Sequence, residues 1–128
     1  MPVVTLKFMP NVLESKAYAL ACIGAHFQWA VARACSFKDD EGEHTLESSD
    51  VDFVPYEYQL GSIAAMLSIE IETYGFAGRK KKLNKTAMLA LKADLMTAIQ
   101  PHLTKGIDFN EEDRCLWMKY VDPDGEHI

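Results

Sequence analysis

Residues 62–75 read SIAAMLSIEIETYG. Ile63, Ala65, Leu67, Ile69 and Ile71 alternate with Ser62, Ala64, Met66, Ser68, Glu70 and Glu72, which is the two-residue period of a strand. The next residues, YGFAGR, carry two glycines three apart and predict a tight turn with positive φ. Leu83, Ala87, Leu91, Leu95, Ala98 and Ile99 then fall on one face of a 3.6-residue period, a helix that Pro101 bends or stops. A last strand, RCLWMKYV from Arg114 to Val121, runs into the turn-like DPDGEHI.

The first half repeats that order. In VVTLKF, Val4, Leu6 and Phe8 alternate with Thr5 and Lys7, and Pro10 closes the strand. Asn11 with Glu14 three residues on has the spacing of a capping box, so a helix is expected from Val12 to about Cys35. Its main stripe is Leu13, Leu20, Ile23, Phe27, Val31 and Ala34. A second stripe of Tyr18, Cys22, Ala25 and Trp29 lies almost opposite, and is either covered as well or small enough to tolerate water. Residues 36–50, SFKDDEGEHTLESSD, read as a long surface loop or hairpin. In VDFVPYEYQ the β-branched and aromatic residues predict a strand, which Pro55 confines to an edge or a bulge.

The resulting order is strand, helix, strand, twice over. It predicts an α+β domain spanning 1–128, with repeat one at about 2–58 and repeat two at about 62–121. Right-handed crossovers make each unit's strands parallel, so the two β-α-β units form one four-stranded mixed sheet with two helices on one face. The other sheet face is then bare, which implies a partner chain.

Composition narrows the function. With 48% hydrophobic and 25% charged residues the chain has an ordinary globular balance, and its net charge of −6 opposes binding to a phosphate backbone. The basic run RKKKLNK, from Arg79 to Lys85, has no interleaved aromatics for base stacking and reads as a solvated first helical turn. Cys22, Cys35 and Cys115, with His26, His44, His102 and His127, lack metal-ligand spacing, so no metal is expected and the cysteines read as reduced, mostly buried thiols of a cytoplasmic protein. The uncharged run AYALACIGAHFQWAVA falls short of the ~20 residues of a membrane span and contains His26 and Gln28. The N-terminus shows no basic region followed by a long apolar stretch and a small-residue cleavage site, so a secretory signal is not expected.

Three stretches carry a resemblance to a known family: the opening MPVVTLKF, the junction IETYGFAGRKKKLNKTAML and the ending LWMKYVDPDGEHI. In these the chain resembles the tautomerase superfamily in its longer form, with two fused β-α-β repeats. The resemblance implies a homotrimer without cofactor. It also implies loss of the initiator methionine, which leaves Pro2 with a free imino nitrogen as acid/base on a small 2-oxo or enol acid. It makes Tyr74 a candidate wall of the substrate site and Lys38 a cation for a carboxylate. Arg79 is the other nearby cation, and Trp117 an apolar wall lent by a neighbouring subunit. Each has a plainer reading: Tyr74 packing on the core, Lys38 and Arg79 as solvated charges, Trp117 as a core anchor. The alternative function is a non-catalytic oligomeric binding or interaction module of the same fold.

Overall fold

The structure, a computed structural model, describes residues 2–58, 67–106 and 114–121. The first half runs β1 (Val3–Phe8), α1 (Lys16–Cys35), β2 (Phe37–Asp39), β3 (Gly42–His44), a 3-10 turn at Ser48–Asp50, and β4 (Asp52–Glu57). The second runs β5 (Leu67–Tyr74), α2 (Ala77–Lys82), α3 (Lys85–Ile99), a 3-10 turn at Gln100–His102, and β6 (Arg114–Val121). The main sheet has the order β4-β1-β5-β6. β1 is parallel to β4, β5 is parallel to β6, and β1 meets β5 antiparallel, so the expected α+β mixed sheet is present. Pro55 lies on β4, an edge strand.

One face of the sheet builds the core. Val4, Leu6 and Phe8 from β1 and Leu67, Ile69 and Ile71 from β5 are buried against Ile23, Phe27 and Val31 of α1 and Leu91, Leu95 and Ile99 of α3. The alternation that predicted the strands therefore also selects the core. The second stripe of α1 is turned to solvent in the single chain, with Tyr18 and Trp29 exposed. The two polar residues of the uncharged run are both engaged: His26 meets Asp94, and Gln28 donates to the Val51 carbonyl. Among the described residues no helix is long and apolar enough to cross a membrane.

Two local expectations are corrected. Asn11 does not cap α1: it has φ 66, and the helix starts at Lys16 behind Ser15, whose φ is 47. The intervening Val12 and Leu13 are buried in a non-helical segment, where Leu13 bridges Leu103 and the Val12 carbonyl accepts from the Thr104 N–H at 2.8 Å. Tertiary pairing thus overrides the cap signal. Residues 36–50 hold the β2–β3 hairpin, one of the two forms expected for them. The glycines of YGFAGR make no positive-φ turn; among the described residues the glycines with positive φ are Gly42 and Gly106. Gly78 lies inside α2, where a Cβ would stand 2.6 Å from the Phe37 ring, so the glycine serves close approach instead.

The basic run is corrected too. Arg79 is buried, and Lys82 reaches across to donate to the carbonyls of Arg33 and Ser36 at the end of α1. These two cations satisfy carbonyls that a helix C-terminus leaves without partners. Asn84 then caps α3, its side chain accepting from the Ala87 N–H at 2.9 Å.

Candidate functional site

The start of β1 is held between two strands. The Asp52 N–H donates to the Pro2 carbonyl at 3.0 Å, which extends the β1/β4 ladder by one residue. The pairings Val3↔Asp52 and Val3↔Glu72, carried one step further, set Pro2 beside Val51 on one side and Thr73 on the other. Pro2 is buried, and its flanking residues are 1% and 2% exposed. By strand alternation it faces the helices, in phase with Val4 and Leu6.

The end of α1 and Arg79 of α2 meet at Thr73. The Arg79 guanidinium donates from Nη1 to Thr73 Oγ1 at 2.9 Å and to the Tyr74 carbonyl at 3.1 Å, and from Nε to the Cys35 carbonyl at 2.8 Å. Its Cζ lies 5.2 Å from the Phe37 ring centroid and 5.5 Å from that of Phe76, so two aromatic faces enclose it. Phe37 in turn stacks on His44, which docks the hairpin on this cluster. Among the described residues no carboxylate pairs with Arg79.

Burial dominates the electrostatics here. It lowers the proton affinity of Arg79, with Cys35 and Tyr120 pulling the other way. It also pushes up the Cys35 thiol, against the positive charges of Arg79 and Lys82 and a hydrogen bond from Thr73. Tyr120, opposite Thr73 on β6, has its phenol raised by burial as well. Both groups therefore stay neutral near pH 7, and the guanidinium brings a positive charge to this end of the sheet's covered face.

Of the residues singled out in the sequence, Pro2 and Arg79 come together through Thr73. Arg79 is no solvated charge. Tyr74 ends β5 one residue out of phase with Thr73 and is 39% exposed, so it does not pack into the core. Lys38 lies apart on the exposed hairpin, along a recess of about 340 Å³ shared with Ser36, Phe37, Glu43, Thr45 and Lys82. Trp117 is paired with Glu70 in the middle of β6, on the face away from Pro2. At 60% exposed it is no core anchor. It shares this uncovered face with Val54, Tyr56 and the ion pairs that Glu70 makes with Lys7 and Lys119. Thr73, Cys35, Phe37, Phe76 and Tyr120 were not singled out by the sequence reading. Thr73 left a signal, a hydroxyl in the buried phase of the cleanest strand; the aromatics left none, because their roles depend on where α2 turns.

No family model matches the sequence, and no curated protein matches it. Solved structures do match in fold. A macrophage migration inhibitory factor-like protein from Entamoeba histolytica is similar with a TM-score of 0.61 at 12% identity, over 94% of this chain and 89% of that one. Pt0534 inactivated by 2-oxo-3-pentynoate gives 0.61 at 13% identity, over 98% and 90%. A fused 4-OT described as a symmetric trimer gives 0.57 at 15% identity, over 98% and 90%. These neighbours are members of the tautomerase superfamily, and the described residues of this chain share their fold.

Proposed function

We propose that this protein is a tautomerase or isomerase that uses Pro2, once Met1 is removed, as acid/base on a small 2-oxo or enol acid. The observation that carries the reading is the seat of Pro2, buried at the start of a central strand between Val51 and Thr73. An α-amino group titrates near ~8 in water, and burial penalises its charged form. A neutral imino nitrogen there takes a proton from the carbon next to a carbonyl while the C–H electron pair moves toward the carbonyl oxygen. The protonated nitrogen then returns the proton to another atom of the same molecule, with no change of oxidation state and no cofactor. In this reading Lys38 and Arg79 are the cations that face a carboxylate and Tyr74 is a wall of the site. Trp117 is lent by a neighbouring chain of a cytoplasmic homotrimer.

Intact mass spectrometry establishes whether Met1 is lost, and retained Met1 overturns the reading. Tautomerisation of phenylpyruvate, compared between wild type and Pro2→Ala, tests the chemistry. The expected loss for the variant is at least tenfold, and equal rates overturn it. A second reading, a non-catalytic oligomeric binding module, is favoured by one observation: Arg79 directs three hydrogen bonds into its own fold. Equal rates, or a retained Met1, leave that reading in place.

A further inference from the structure

Where the last turns of α1 pass the start of α3, a groove of about 320 Å³ opens to solvent. Its floor is apolar, made by Ala34 of α1, Leu83, and Ala87 and Leu91 one turn apart on α3. Its rim is charged, with Arg33, Lys82 and Asp94. Trp29 stands at this rim, 47% exposed, and is tied to it on two sides. The Arg33 guanidinium carbon lies 4.7 Å from the Trp29 ring centroid, and the His26 ring, 5.7 Å from it, bonds Asp94 at 3.1 Å. Trp and Arg are the side chains that most often anchor protein-binding surfaces.

Charge points the same way. From Thr73 to Ala93 the chain has six cations and no Asp or Glu, in a protein of net charge −6. That stretch forms α2 and the α3 wall of the groove. Both rim cations are pinned, Arg33 over the indole and Lys82 by the carbonyls of Arg33 and Ser36. Charges already fixed in place lose less freedom to a ligand than free side chains do. The rim carboxylate, Asp94, is engaged by His26.

We infer that this groove docks an acidic segment of a partner protein, which seats one large apolar side chain on the floor and sets carboxylates against Arg33 and Lys82. The pairing of apolar floor with cationic rim selects this occupant. A polyphosphate or a lipid headgroup meets the cations but leaves the floor bare, and the net charge of −6 opposes any extended polyanion. A second copy fits less well, because the exposed acidic turn Asp39–Asp40–Glu41 of this chain carries no apolar side chain to anchor. The groove shares no lining residue with the seat of Pro2, so the inference holds whether or not Pro2 is a base.

The test uses the full-length protein and a short synthetic peptide of Glu and Asp around one central Phe. Binding is read from Trp29 fluorescence in a Trp117→Phe background, and ¹⁵N-resolved spectra locate the peptide. Saturable binding with a Kd of about 10–100 μM at low salt is expected, with the shifts centred on the end of α1, α2 and the start of α3. Exchanging the peptide's Phe for Ala weakens binding at least about tenfold, and added salt weakens it too. Ala90→Glu puts a carboxylate on an exposed lining position and also weakens binding at least about tenfold. Arg33→Gln weakens it about threefold or more. Lys105→Gln, an equal loss of charge beside Glu14 before the far end of α1, leaves it unchanged, as does Pro2→Ala. No saturation below about 1 mM, shifts centred elsewhere, or undiminished binding by Ala90→Glu overturns the inference. A Gln/Asn version of the peptide that binds as well as the acidic one overturns it also. Two further results assign the groove to another occupant and overturn it likewise: phosphatidylserine vesicles binding where the peptide does not, or wild-type chains self-associating and Ala90→Glu dissociating them. Loss of tautomerase activity in Pro2→Ala without loss of peptide affinity separates the two readings.

Discussion

Helix α2 passes the hairpin so closely that a Cβ on Gly78 would lie 2.6 Å from Cδ2 and 2.9 Å from Cε2 of Phe37. The ring cannot retreat freely, because Arg79 lies over one part of it and His44 stacks on it with centroids 4.4 Å apart. Gly78 thus sets how near α2 comes to the hairpin, and hence where Arg79 can reach.

Gly78→Ala sets two effects against each other. Alanine in a helix interior gains about 0.5–1 kcal/mol over glycine. Overpacking against a fixed ring costs about 1–3 kcal/mol, and the second effect wins. The expected result is a lower urea midpoint for the variant; a higher midpoint would show that Phe37 moves aside without cost.

Glu70 gives the acid side of the stability profile. The Lys7 hydrogen bond holds its carboxyl below the usual carboxylate range, burial opposes this, and the charges of Lys7 and Lys119 add to the lowering. Because the folded value is depressed, the contribution is fully present above the unfolded value of about 4.3 and is lost as pH falls through the folded one. The bridge is partly exposed, so it is worth at most about 1 kcal/mol at neutral pH. Urea midpoints at pH 7 and pH 3 should therefore fall further for wild type than for Glu70→Gln. Raising the salt should narrow the gap at pH 7.

The uncovered face of the sheet supplies a test of assembly. Trp117 is 60% exposed in the single chain, so Trp117→Glu should change monomer stability by no more than about 0.5 kcal/mol. If a homotrimer covers this face, the same variant buries a charge and sedimentation velocity shows dissociated chains. An unchanged assembly in the variant excludes the face as the interface.

Much of this architecture was legible because strand alternation and core burial are one phenomenon. Leu67, Ile69 and Ile71 announced both β5 and its buried side, and Leu91, Leu95 and Ile99 did the same for α3. The start of α1 was not legible, since Val12 and Leu13 pair with a segment some ninety residues away in the chain, around Leu103. At the candidate site Pro2 was readable from position and resemblance. The burial of Arg79 was not, because the charge run that contains it looks uniformly solvated. Only the packing of α2 against Phe37 and Cys35 separates it from Lys80 and Lys81 beside it.

The antiparallel meeting of β1 and β5 has an outcome for symmetry. The two parallel strand pairs, β1/β4 and β5/β6, place their leading ends at opposite rims of the sheet: Pro2 at one, Leu67 at the other. Leu67 lies within the chain, so its nitrogen is an amide and can never act as a base. Any chemistry that depended on a free chain start would be confined to a single rim, and a topologically twofold sheet would then be chemically lopsided.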